Sequence, residues 1–395
     1  MTQEHDAEPP AASQVEEAIG SEAEPEEPGR YRGTRRTPPA RPRVLTGMGH
    51  VREPESERWW RSWLGRTAAL LLGALILAAA FVTAYVGGLH KPTPRDIPVA
   101  VVRDDNAART LIAAVRVRTN TIEAVEYADP QAALQALKKR SVYAILSSST
   151  LGGTGLTLTT ASASSPAATQ VIEQTLDAAA AATGASLAVA DVVPVSTQDP
   201  LGVVPFYLVF GFVLGGILAA TALGVAVGTV PRNLDRAAMR IGALAVFSAL
   251  VGTAGAIVAG PVTQVWTSHR VGVAIAGTLV TFAAAMLTSA AQGWLGLLGT
   301  GLAVLLLIAL GNPGSGGIYP PEFLPRFFDQ MYRWNIPGLG VSLVEGVAYF
   351  DRQATGWPIT ALALWALAGV LGLLLATAVL GRRLSSPPSP SIKDK

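Results

Sequence analysis

Residues able to do chemistry are sparse in this chain, and none has the spacing of a catalytic centre. The four histidines, His5, His50, His90 and His269, form no HExxH, no metal-spaced pair and no triad with a nucleophile. Asp104 and Asp105 are adjacent carboxylates of the kind that ligate a cation, but before a helical segment they read as a solvated turn. Gly152-Gly153-Thr154-Gly155 lacks the following GK[ST] of a phosphate loop and reads as a turn between strands. Cysteine is absent, which removes disulfides, thiolate metal sites and cysteine nucleophiles together. There is no Walker A sequence, so any ATP-driven process must use a separate polypeptide. The expectation is a non-enzyme with no metal, no cofactor and no nucleic-acid partner.

Two other groups of residues remain informative. Arg232, Asp235, Arg236 and Arg240 lie in PRNLDRAAMR, a short polar stretch between long apolar runs, where one short helix could contact a partner. The second group is Asn312, Pro313, Ser315, Gly316, Pro321, Leu324, Pro325 and, further on, Pro337, interleaved with Phe323, Phe327, Phe328, Tyr332 and Trp334. Glycine and proline at this density break a helix, and aromatic rings anchor at a membrane interface. Non-helical backbone at membrane depth is tolerated only where protein packs on it or it lines a cavity. This stretch is therefore a candidate gate, with an aromatic anchor belt as the plainer alternative.

The elements that must position these groups are membrane helices. Six apolar runs without internal charges, at 67–89, 201–230, 241–265, 271–290, 292–310 and 359–380, are each long enough to cross a bilayer. A charge at the centre of a spanning helix costs roughly 2.5–3.5 kcal/mol on insertion scales. Its absence from all six runs disfavours an ion-coupled carrier. Glu345, before the last run, is the acid that could revive that reading if it lay at membrane depth opposite an arginine such as Arg352. Arginines flank the first run (Arg58, Arg61, Arg66), follow the second (Arg232, Arg236, Arg240) and follow the sixth (Arg382, Arg383). By the positive-inside rule both termini are cytoplasmic and the protein sits in the cell membrane. The first run is too long, and too far from Met1, for a cleaved signal peptide.

The expected fold is thus an α-helical polytopic membrane protein with six transmembrane helices, an extracytoplasmic α/β domain between the first two, and a disordered N-terminal tail. The tail covers 1–53, acidic at first and then arginine-rich, where anionic lipid is a possible contact. Residues 54–66 read as an interfacial amphipathic helix, with Trp59, Trp60, Trp63 and Leu64 on one face, entering span one (67–89) through an elbow. The domain occupies 90–200, with the order β-α-β-α-β-β-α-β. Its helices are announced by Asp129-Pro130 and Ser165-Pro166, a cap followed by a first-turn proline. Residues 201–380 hold five more spans and an outer loop at 311–358, and 381–395 form a second cytoplasmic tail.

One span, a large outer domain and then five spans resembles the bacterial ABC type-2 permeases, in the branch related to the phage-infection-protein family. The motifs carrying the likeness are the N-P-x-S-G-G-like turn from Asn312, Pro321-x-x-Leu324-Pro325, Ile336-Pro337-Gly338 and the span-two entry from Asp199-Pro200 to Tyr207. The likeness implies an exporter permease for a hydrophobic or amphiphilic compound, working as a homodimer or pseudo-dimer with a separate ATP-hydrolysing subunit. It implies too that PRNLDRAAMR touches that ATPase. A membrane scaffold or surface receptor acting through the outer domain is the alternative reading.

Overall fold

The computed structural model describes residues 55–149 and 155–381, with side chains from Trp63 onward. The expected tail 1–53, all but Gly381 of the expected tail 381–395, the aromatic pair Trp59-Trp60 and most of the Gly152–Gly155 turn lie outside the described side chains or residues. Among the described residues, five helices are long and apolar enough to cross a membrane: Trp63–Leu89, Val204–Val227, Leu234–Val262, Arg270–Leu295 and Gly356–Gly381. Between the first two lies a five-stranded α/β domain. The chain is a helical, polytopic membrane protein carrying one such domain.

The first helix, α1, runs unbroken from Glu55 to Leu89. The described part of the expected interfacial segment, 55–66, is therefore helix continuous with the first span, with no elbow between them. Gly65 is the sole weak helix former between them, and its cost of about 1 kcal/mol is too small to break a long helix.

In the domain, the expected order is observed: β1 (Ile97–Val102), α2 (Asn106–Arg118), β2 (Ile122–Tyr127), α3 (Pro130–Lys138), β3 (Ala144–Ser148), β4 (Leu156–Thr160), α4 (Pro166–Thr183) and β5 (Leu187–Asp191). The caps explain the helix starts. Asp105, Asp129 and Ser165 each accept a hydrogen bond from the third residue beyond, and Pro130 and Pro166 follow two of them. The strand order is β2-β1-β3-β4-β5, parallel except between β3 and β4. Alternation in β1 sends Ile97, Val99 and Val101 to one face, where α2 and α4 cover them with Leu111, Ile112, Ile172 and Leu176. Ala100 points to the other face, with Ala133 and Leu137 of α3 and with Phe350 from the membrane half.

The membrane half comprises α5 (Val204–Val227), α6 (Leu234–Ile257, continued by a π turn to Val262), α7 (Arg270–Leu295), α8 (Leu298–Val304, continued by a π turn to Leu310), α9 (Arg326–Tyr332), α10 (Ile336–Ala348) and α11 (Gly356–Ala376, continued to Gly381). Helix α7 is the hub, packed by α5, α6, α10 and α11. Small residues allow this. A Cβ on Gly216 of α5 would lie 2.5 Å from the Thr281 carbonyl of α7, and one on Gly252 of α6 would lie 2.4 Å from that of Ala274. These two glycines serve packing within one chain.

The apolar run 292–310 is not one helix. Residues 292–295 finish α7, and Gly296, at φ +62° and ψ −144°, turns the chain through a conformation open to glycine alone. The remainder, Leu298–Leu310, is a shorter apolar helix, as is Ile336–Ala348. Gly299 packs on Ala291 at the Leu295 end of α7, Gly340 lies against Val280, and Gly272 near the start of α7 meets Val347. The two short helices thus run in the same sense along the two halves of α7, and Gly311 brings the end of one beside Pro337 of the other.

Candidate functional site

The densest polar constellation lies where the α/β domain meets α10. Helix α3 ends at Lys138, and Arg140 then takes a left-handed backbone conformation (φ +57°) that turns the chain toward β3. This directs its guanidinium into the membrane half. One terminal nitrogen donates to the Ser342 carbonyl at 3.1 Å and to the Ser342 hydroxyl at 3.3 Å, while the other is ion-paired with Glu345. The Phe350 ring lies 5.6 Å from the guanidinium carbon. Side-chain exposure is 11% for Arg140 and 8% for Glu345, so the pair is shielded from water. Removing one partner of such a pair leaves an uncompensated buried charge, at about 3–5 kcal/mol. Glu345 is thus buried, but its partner is Arg140 of the α/β domain and not Arg352, which lies in the turn before α11.

Beside the pair, the Tyr143 hydroxyl donates to Glu322 at 2.9 Å. Burial pushes the Glu322 carboxyl up from its ordinary range, opposed by its hydrogen bonds, and burial also raises the Tyr143 hydroxyl. Arg140, Tyr143, Glu322, Asp329, Tyr332 and Arg333 line a cavity of about 750 Å³, with Trp334 and Trp357 at another wall. Acid, base and aromatic groups therefore face one space between the domain and the membrane half.

The sequence-predicted gate residues frame this junction. Asn312 donates to the Tyr85 hydroxyl of α1 at 3.0 Å, and Asn312 and Ser315 are almost wholly buried. Pro313 opens a short 3₁₀ turn that ends at Gly316 in the left-handed conformation. Pro321 opens another and lines the cavity, Pro325 precedes α9, and Leu324 packs with Ala84 and Phe328. Pro337 sits in the first turn of α10, whose cap is Asn335; the Asn335 amide also reaches the Gly314 carbonyl at 3.0 Å. The loop backbone pairs with the chain leading into β1, Thr93 to Phe323 and Arg95 to Glu322, each at 3.1 Å. The motif residues are tied to α1, α10 and the chain entering β1, and Pro321 is the one among them that lines the cavity.

Sequence reasoning missed Arg140, Tyr143 and Ser342. The only local signal was that Arg140 closes a run of three basic residues, Lys138-Lys139-Arg140, just past a helix end and before the apolar run from Val142.

At the far end of the membrane helices, Arg232, Asp235 and Arg236 are exposed. No separate short helix separates α5 from α6. Asn233 caps Arg236 at 3.0 Å, so 234–240 are already the first turns of α6. Arg240 is 5% exposed and donates to the main-chain carbonyls of Leu223, Gly228 and Thr229, closing the end of α5. It is therefore not available to a partner in the way Arg232 and Arg236 are.

Among the described residues, no group of three or more His, Asp or Glu side chains could hold a metal ion. His269 lies 3.4 Å from Asp351, and His90 contacts the Val86 carbonyl at 2.7 Å. Asp105 caps α2 and reaches the Ser148 hydroxyl at 2.6 Å, a structural role for the Asp104-Asp105 pair. Comparison with protein families, characterised proteins and solved structures finds no match.

Proposed function

We propose that this chain is the membrane permease subunit of an ABC-type (ABC-2) exporter, moving a hydrophobic or amphiphilic compound across the cell membrane while a separate subunit hydrolyses ATP. The observation that carries the reading is the pairing of α8 and α10. Each is too short to cross alone, yet together they follow the whole of α7, with the 311–335 segment inserted between them. In this reading they are two halves of one interrupted crossing, the fifth of six. The α/β domain lies outside and both termini are cytoplasmic, as the arginine distribution favours.

An interrupted helix beside a cavity is a device for a moving gate. The half on the domain side, α10, is fastened to the α/β domain through Arg140 and Glu345, so motion of one is transmitted to the other. Exposed Arg232, Asp235 and Arg236 are the contact offered to the ATPase, and a second copy of the chain completes the translocation path.

The test is affinity purification of the tagged full chain from its native membrane in mild detergent. Recovery with a near-stoichiometric ATP-hydrolysing subunit supports the permease. Recovery alone, or with envelope proteins lacking nucleotide sites, replaces it with a scaffold or receptor.

A further inference from the structure

The end of the helices away from the α/β domain holds a second cavity, of about 670 Å³, where α5 turns into α6. Its charged lining is entirely basic: Arg232, Arg236 and Arg240. Among the described residues no acidic side chain lines it, and Asp235, between two of these arginines in sequence, is not part of the wall. Arg240 is nearly inaccessible, and all three of its hydrogen bonds go to main-chain carbonyls, which are neutral dipoles. Among the described residues it has no carboxylate within ion-pair distance. Among the described residues its full charge therefore lacks a counter-ion, the opposite of Arg140 at the other end. Apart from Thr229 the remaining wall is apolar, and Val227 and Met239, which line the cavity, are also 65% exposed on apolar helices.

A cavity with a cationic floor and an open apolar flank at the end of two membrane helices matches a molecule with an anionic head and hydrocarbon chains. Guanidinium groups recognise phosphate oxygens through paired N–H donors. We propose that this cavity binds the phosphate headgroup of an anionic phospholipid, with its acyl chains lying along Val227 and Met239. Arg232 and Arg236 contact the headgroup, and Arg240 supplies the fixed positive charge beneath it. The proposal concerns the chain without its ATPase subunit, whose proposed contact uses the same Arg232 and Arg236, and it does not depend on which compartment this end faces.

The experiment uses the full chain in a neutral detergent, with dioleoylphosphatidylglycerol as probe, dioleoylphosphatidylcholine as control, and bound lipid counted by native mass spectrometry. One phosphatidylglycerol retained in preference to phosphatidylcholine is the expected result, with affinity falling about tenfold or more in Arg232→Gln/Arg236→Gln. Those two side chains are exposed, so the variant folds; Arg240→Lys, which keeps the charge, retains most of the binding. Equal retention of the two lipids, or unchanged phosphatidylglycerol binding by the double variant, overturns the proposal. Displacement of the lipid by millimolar inorganic phosphate, with matching thermal protection by phosphate alone, overturns it in favour of a soluble phosphate ligand.

Discussion

The two ends of the membrane helices treat arginine in opposite ways. On the domain side, Arg140 is buried against Glu345, and the loop around it is bonded to α1, to α10 and to the chain entering β1. At the far end Arg240 is also shielded but has no carboxylate partner among the described residues, and Arg232 and Arg236 stand exposed beside it. A matched charge holds parts of one molecule together. An unmatched one is completed from outside, and this is why the first end is read as a clamp and the second as a docking surface.

The sharpest way to break the comparison is to remove one partner of the clamp. Glu345→Ala should destabilise the detergent-solubilised protein by about 3–5 kcal/mol, seen as a lowered thermal midpoint, whereas Arg140→Met with Glu345→Leu should recover most of that loss. A double variant as damaged as the single one would mean the pair matters for something other than charge. Next in size is Asn335→Ala, which removes the α10 cap and the bond to Gly314; about 1–2 kcal/mol is expected, with faster proteolysis within 311–335.

Asp105→Ala, in the domain itself, should cost about 1 kcal/mol from the lost cap. Burial works to raise the Asp105 carboxyl, but its bonds from Ser148 and Ala108 outweigh this and hold it below its ordinary value of 3.8. Its charge-dependent contribution is complete above that value and fades as pH falls through the lower folded one, so variant and wild type should converge in stability on acidification. Comparing unfolding at neutral pH and near pH 3 checks this. The smallest effect is expected at the far end, where Arg232→Gln/Arg236→Gln should change stability by no more than about 0.5 kcal/mol. A loss as large as that of Glu345→Ala would erase the distinction between the ends.

The α/β domain was legible because its signals are local. Asp129-Pro130 and Ser165-Pro166 mark helix starts within four residues, and IPVAVV can bury both faces only in a central strand. The sequence divides the 271–310 apolar stretch at 291, beside Gln292, whereas the chain turns at Gly296, a glycine distinguished from others only by its backbone angles and by how tightly Gly299 packs on Ala291. The clamp was hidden for a different reason. Arg140 and Glu345 are brought together by tertiary packing across 205 positions, and nothing near either residue announces the other. Glu345 stood out as the acid that could dip into the membrane before the last run, but its partner could not be read from neighbours such as Arg352.

Whether the two ends face different compartments is decided most directly by labelling. The chain has no cysteine, so one introduced at Val117, 88% exposed on α2, or at Arg236 is the only thiol present. A membrane-impermeant maleimide applied to intact cells should label Val117→Cys at once and Arg236→Cys only after the membrane is opened. Labelling of Arg236→Cys in intact cells, with Val117→Cys protected, would invert the protein and contradict the account.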